Sequence, residues 1–547
     1  MSMKKKVVLL FFTILFVGIL LRIYKVTEIP PGVNRDEASI GYTAYSLLFT
    51  GKDEYGRFFP LSFQSFGDWK LPLYIYATIP AVKFLGLNEL AVRVVSILAG
   101  IATIILSYLF VKELFKKESL AILTMFLVAV SPWHVHLSRV ESESNTAVFL
   151  MSLSALLFLK AVRGKHILIV LSAIFAALTY YTYAGNYVFT TLLVCGVLFL
   201  YRKSIPKNRY SFIALLLFVV LSGFIFSKTV FEANKTKLSG IGIFGDPSVV
   251  HAEIEIPRNK HSNPKSFFAK AMHNRVIYGA GKVAQNYLNS FSPQFLFITG
   301  GTNKAHNIEG FGNMYVFESI FLLAGFIYLV TAKKTKETKL VLWWFLIAPI
   351  AASITKDAPH TNRMFAIFPI LPLIVSMGLY WVIIKLIKQE WKKLAIFIIL
   401  LLFIINFAVY IDRYYIHFPR NEEKNWGIGY KKLNEVLSSA SFIKKKVIMS
   451  RPEYSPYIYL LFYNSYSPSF YQKEALRYPP TSDAFVNVKG FGRYEFRTID
   501  WGKDIQIQNV LLVDWSDQVP LSIKEAFHTQ DIILSNSESM FTIVETK

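Results

Sequence analysis

Residues 91–118 read AVRVVSILAGIATIILSYLFVKELFKKE. Positions 91–111 carry one charge, Arg93, close to their start, and positions 112–118 carry three lysines. A helix of roughly 17–25 apolar residues crosses the hydrocarbon core of a bilayer, about 30 Å thick. Ten further runs of this kind lie near 7–23, 119–137, 144–162, 166–182, 185–201, 210–226, 314–332, 340–354, 364–387 and 394–411. The run 340–354 is short and Pro349 interrupts it. Residues 166–201 form almost one block, split by Tyr183, Ala184 and Gly185, and read as a tight hairpin. A single helix of that length overshoots the membrane.

The whole chain agrees with this reading. Of its 547 residues 53% are hydrophobic and 17% charged, and the mean hydropathy is +0.40. Soluble globular chains carry about 25% charged residues, so a soluble enzyme and a disordered chain are both poor readings. The single cysteine, Cys195, excludes an intramolecular disulfide and a cysteine-based zinc or iron–sulfur site. Net charge is +23, a balance that by itself suits a nucleic-acid partner. The placement of the cations argues otherwise. With MSMKKK inside, the short inside segments are 1–6, 112–118, 160–165, 202–209, 333–339 and 385–393. They hold 21 Lys and Arg against four Asp and Glu. Strict alternation through eleven crossings satisfies the positive-inside rule, so the basic residues orient helices and no nucleic acid is expected. The first run lacks a small-residue cleavage site and is read as an uncleaved helix.

Three longer segments then fall outside: 24–90, 227–313 and the tail 412–547. The tail has 17 Lys and Arg and 16 Asp and Glu, a near-neutral balance that fits a soluble domain. Strand-like runs at 446–450, 457–463, 509–515 and 531–535 alternate with helical stretches such as 430–438. The expected architecture is a polytopic α-helical membrane domain, 1–411, followed by a small extracytoplasmic α/β domain, 412–547.

The outside segments hold the polar clusters. Asp36 and Glu37 precede an amphipathic stretch, 38–49, that is too short to span and is expected to lie along the interface. A carboxylate at that helix N-terminus stays ionised and can serve as a general base; helix capping by Asp36 is the plainer alternative. Arg93 stands at the outer end of the second run, where a guanidinium can hold a phosphate bidentately or anchor the helix by snorkelling. The turn after the third run, SPWHVHLSRVESESN, brings His134, His136, Arg139, Glu141 and Glu143, with no recognised zinc spacing. The short turn TKDAPHTNR keeps Lys356, His360 and Arg363 outside, against the charge bias, and so suits phosphate binding. No GxxxxGK[ST], HExxH or GxSxG motif occurs.

Taken together, Arg35-Asp36-Glu37, Arg93-x-x-Ser96-x-x-x-Gly100, Ser138-Arg139 with Glu143, and Pro359-His360-x-x-Arg363 resemble glycosyltransferase family 39. This is the dolichyl-phosphate-mannose-protein mannosyltransferase-like group, which includes the bacterial aminoarabinose transferases. The resemblance covers roughly 1–411. It implies a GT-C membrane fold of about eleven helices and a polyprenyl-phosphate-sugar donor. It further implies an extracytoplasmic protein, lipid or glycan acceptor, and inversion by single displacement. Carried over, Asp36 is the catalytic base with Glu37 beside it. Arg93, Arg139, His360 and Arg363 bind substrate together with Glu143, for which Glu141 is an alternative. No cofactor is specified: the outside acids could hold a divalent cation, and a metal-free site is equally allowed. A flippase of lipid-linked sugars and a non-catalytic envelope scaffold are the rival readings.

Overall fold

A computed structural model describes residues 3–66, 68–232, 242–245, 247–481 and 485–546. The chain forms two compact units. One comprises Met1–Tyr24, Ser96–Ser138 and Ser142–Arg413; the other comprises Lys25–Val95, Arg139–Glu141 and Tyr414–Lys547.

The first unit is helical. Among the described residues five helices are long and apolar enough to cross a membrane: Lys5–Ile23, Glu89–Phe115, Glu143–Val162, Arg209–Thr229 and Gln389–Asn421. Two bent pairs, Glu118–Val130 with Pro132–Arg139 (55°) and Thr361–Ile367 with Ile370–Leu386 (58°), bring the number to seven. The other four expected runs are helical but shorter. They form Leu168–Tyr181, Asn186–Tyr201 and Glu318–Thr331, and the pair Lys336–Ile347 and Ile350–Ser353, broken at Pro349. Backbone polar groups in hydrocarbon must be paired within the protein, and the first bend shows how this is done. Pro132 has no N–H for the carbonyl of Val128, four residues earlier. Arg22, fully buried, donates to that carbonyl at 3.3 Å and to Ala129 O at 3.0 Å. The same guanidinium meets His134 Nδ1 at 2.5 Å. Elsewhere helices Glu318–Thr331 and Ile370–Trp381 cross at Gly325 and Gly378, where a Cβ on either would collide with the other's backbone. Small residues permit such close approach in membrane bundles.

The second unit is α/β. It begins with α1 (Arg35–Thr50), the hairpin β1 (Phe63–Ser65) and β2 (Asp68–Lys70), and α2 (Pro72–Leu85). Its seven-stranded sheet uses β3 (Lys446–Met449), β4 (Leu476–Arg477), β5 (Val488–Phe491), β6 (Tyr494–Phe496), β7 (Val510–Trp515), β8 (His528–Ile533) and β9 (Ser539–Glu545). Strand order is β4-β5-β6-β3-β7-β9-β8. Strand β3 is parallel to β6 and β7, and the remaining pairs are antiparallel.

Two expectations are corrected here. The stretch 457–463, read as a strand, is the helix Pro456–Tyr463. Its apolar run lies in the core on every side, so no period shows, and Pro456 occupies the first helical turn, where a missing N–H costs nothing. The first outside segment was assigned to the membrane domain, with 38–49 lying along the interface. Instead α1 is buried along most of its length, and Tyr42, Ala44 and Leu47 join Leu433, Val447, Leu460 and Leu511 in one core. Burying a large apolar side chain contributes about 1.5–3 kcal/mol, more than α1 gains by lying half in water.

Candidate functional site

The acidic turn of the second unit starts with a capping box. Asn34 Oδ1 accepts from Glu37 N at 2.9 Å, and Glu37 Oε2 accepts from Asn34 N at 3.4 Å. This arrangement satisfies two amides that a helix start leaves without partners. It also sends the two adjacent carboxylates in different directions.

Glu37 points inward and is fully buried. Arg93 Nε donates to its Oε1 at 2.9 Å and Arg93 Nη2 to its Oε2 at 2.8 Å. The backbone N–H of Glu141 adds a bond to Oε1 at 2.9 Å. Arg93 is equally buried. Nη1 donates to Val26 O (2.6 Å) and Pro30 O (3.1 Å), and Nη2 donates to Gly32 O (2.5 Å). A guanidinium has five donors, and each is used within the protein. Gly32 is held at φ +75°, where a Cβ would stand 2.8 Å from Trp426 O; this position favours glycine. The Trp426 ring covers the Arg93 guanidinium at 5.7 Å. Arg139, also fully buried, donates to Ile29 O at 2.8 Å and lies 5.1 Å from the Tyr415 ring.

Asp36 points outward. Its side chain is 54% exposed, and its Oδ1 accepts from Lys70 Nζ at 2.7 Å. Lys70 is only 8% exposed; it closes the β1–β2 hairpin. This unit therefore gathers Asp36, Glu37, Arg93, Arg139 and Glu141, and adds Lys70, which the sequence reading missed. A hairpin signal in FQS and DWK, flanking a turn, could have found the strand pair but not the partner, 34 residues from Asp36.

Deeper in the same unit Glu54 is buried, and burial pushes its carboxyl up to about 7 against the opposing pull of Arg477. Its neighbours include the Tyr457 hydroxyl, which donates to Oε2 at 3.4 Å.

Glu143, His360 and Arg363 belong to the helical unit. Glu143 opens the helix Glu143–Val162, whose start is capped by Ser142 Oγ accepting from Asn145 N at 3.2 Å. Asn145, buried, donates to Ser96 O at 2.8 Å and Ser96 Oγ at 3.0 Å, and Ser96 Oγ donates to Leu137 O at 2.8 Å. Gly100 leaves room for the Ser138 side chain. Motif residues 96, 100 and 138 thus dock the bent third run onto its neighbour. His360 is buried, and its Nδ1 accepts from Arg363 N at 3.4 Å. Burial, followed by the nearby Arg363 charge, pushes its pKa down to about 4. This shift favours the neutral ring, which caps the turn Thr361–Met364. Arg363 Nη1 donates to Thr355 Oγ1 at 2.7 Å and pairs with Asp357. The Asp357 carboxyl is held below the usual carboxylate range by Arg363, against its own burial.

Among the described residues no three His, Cys, Asp or Glu side chains converge to hold a metal ion. No step below is routed through a metal ion.

Residues 71–226 match the family described as dolichyl-phosphate-mannose-protein mannosyltransferase. The fold is that of the GT-C membrane glycosyltransferases. It is similar to ArnT from Cupriavidus metallidurans in the apo state and bound to undecaprenyl phosphate. Each comparison gives 12% identity and a TM-score of 0.53, over 99% of this chain and 98% of that one. It is also similar to the Archaeoglobus fulgidus oligosaccharyltransferase in complex with Zn and sulfate, at 12% identity and a TM-score of 0.52, over 92% of this chain and 68% of that one. The family resemblance read from the motifs is the one these comparisons return. None of the curated proteins matches the chain.

Proposed function

We propose that this chain is an extracytoplasmic-facing membrane glycosyltransferase. It moves a sugar from a polyprenyl-phosphate carrier to an acceptor hydroxyl on a protein, lipid or glycan, with inversion and with Asp36 as base. The observation that carries the reading is the split between the two acids: Glu37 is used up inside, whereas Asp36 stands half-exposed beside a buried lysine. Phosphate is a good leaving group, so the reaction needs no general acid. It needs one carboxylate to take the acceptor proton and fixed positive charge near the phosphate that departs.

In this reading the acceptor oxygen attacks the anomeric carbon, the carbon–oxygen bond to the lipid phosphate breaks, and Asp36 receives the hydroxyl proton. Lys70 takes the phosphate-facing role expected of Arg93. Arg93 and Glu37 become positioning residues, together with Arg139, because their polar atoms are spent on the backbone that carries Asp36. Arg363 remains a candidate phosphate contact and Glu143 or Glu141 a supporting acid. The relatives support a lipid-phosphate donor, since the ArnT structure is described as bound to undecaprenyl phosphate.

The test is Asp36→Asn in purified protein supplied with a polyprenyl-phosphate sugar. Transfer falls by about 10²–10⁴-fold, the usual worth of a positioned base, while the asparagine oxygen still accepts from the buried Lys70. Wild-type transfer by this variant removes the assignment. The two bent apolar helices also suit a transporter, because discontinuous helices mark many transport sites. Lipid-linked sugar that crosses vesicles without product formation would decide for that reading.

A further inference from the structure

The helix Arg275–Asn289, in the helical unit, is turned the wrong way round for water. Its buried side carries Gly279 and Asn286. Asn286 Nδ2 donates to Ser353 O and Thr355 O, both at 3.0 Å. Tyr287 adds a bond to Leu346 O at 2.9 Å. These contacts fix the helix against the end of the apolar helical pair Lys336–Ile347 and Ile350–Ser353. Its outer side, by contrast, is apolar. Val276, Ile277 and Leu288 are 78%, 53% and 68% exposed, and positions 276, 280, 284 and 288 form one stripe at four-residue spacing. Just before it, Phe267 and Phe268 are 88% and 64% exposed. A polar residue inward and a stripe of Val, Ala and Leu outward is stable only if something other than water covers the stripe.

Charge identifies the cover. Between Glu255 and Glu309 the sequence contains seven Lys and Arg and no acid. Lys260, Lys265, Lys270 and Arg275 are exposed. Basic residues flanking an exposed apolar face mark helices that lie in the headgroup region of anionic bilayers. We propose that residues 256–298 form a membrane-surface anchor. Phe267, Phe268, Val276, Ile277 and Leu288 enter the outer part of the acyl region, and the cations contact anionic phospholipid headgroups. The inference is independent of the reaction chemistry, since it uses no residue of the acidic turn. It implies that residues 256–298, which follow the helix Arg209–Thr229 and precede the helix Glu318–Thr331, rest on the bilayer.

The experiment uses the full chain with Cys195→Ser, reconstituted in nanodiscs, with an environment-sensitive dye on Ile277→Cys, Phe268→Cys or Gln285→Cys. Positions 277 and 268 should emit to the blue and be quenched by lipids spin-labelled near the headgroup; position 285, an exposed glutamine at the edge of the stripe, should be quenched less. Discs of phosphatidylglycerol should give more quenching than discs of phosphatidylcholine. Lys260→Gln, Lys265→Gln and Lys270→Gln combined should reduce that excess, at about fivefold in partitioning per cation. Water-like emission at 277 and 268 overturns the proposal. So does blue-shifted emission without lipid quenching, which assigns the face to a protein partner. Equal quenching in the two lipids overturns the headgroup contact.

Discussion

Two ion pairs one residue apart behave in opposite ways. Glu37–Arg93 is sealed on all sides and Asp36–Lys70 is open on one, although both form at 2.7–2.8 Å from the same helical turn. A buried pair is held by many hydrogen bonds, and losing one partner leaves a stranded charge. A half-exposed pair is screened by water and stabilises little, but its charges can reach a substrate. Distance alone does not separate a sealed pair from one open to water; exposure does.

The sharpest break of the comparison is Arg93→Met. It leaves Glu37 charged and buried, and should destabilise the second unit by roughly 3–5 kcal/mol, read as a lower melting point in detergent. Replacing both partners, Glu37→Leu with Arg93→Met, should recover part of that loss, because the stranded charge goes with its partner. Equal melting of the single variant and wild type would erase the distinction. Next in size is Lys70→Met. Removing one fixed donor to developing charge costs about a hundredfold or more in kcat, with melting almost unchanged because Asp36 keeps its water. A large loss of stability with normal turnover would turn Lys70 into a strut.

Glu54 provides a third contrast, a buried acid with an elevated pKa of about 7. The folded state holds its proton where the unfolded carboxyl has lost it. Its contribution to stability is therefore complete below about pH 4.5 and is lost as pH rises through about 7, roughly 3 kcal/mol over the window. Glu54→Gln should flatten the melting point between pH 5 and 8, and an unchanged slope would assign the dependence elsewhere. The smallest effect belongs to His360, already neutral above about pH 4. His360→Gln should leave the pH–rate profile between 5.5 and 8 unmoved. Its depressed pKa makes its stability contribution present above pH 6.5 and lost as pH falls toward 4. A shift of the profile would restore its expected charge.

Much of this was legible in the sequence. Each of the eleven apolar runs is helical, because length and hydropathy are local properties; how many cross unbent was not, because Pro132, Pro349 and the break before Ile370 depend on neighbours for their cost. In the tail 446–450, 509–515 and 531–535 were read as strands, whereas 457–463 was lost to a core helix without period. The acid pair was found from Asp36-Glu37, yet which acid faces out depends on Arg93, 56 residues away, and on Lys70, 34 residues away. Partners separated this far leave no mark in spacing. The same holds for His360: its burial, which favours the neutral ring, is invisible in the turn TKDAPHTNR.

The lysine at the end of the β1–β2 hairpin has one further consequence for the proposed reaction. Before a donor arrives, its ammonium group is engaged by the neighbouring carboxylate at 2.7 Å. In the proposed reaction an incoming lipid anion competes for that ammonium and leaves the carboxylate free to meet the acceptor. Such a swap would keep the reactive oxygen quiet in the empty enzyme and awaken it only when there is sugar to transfer.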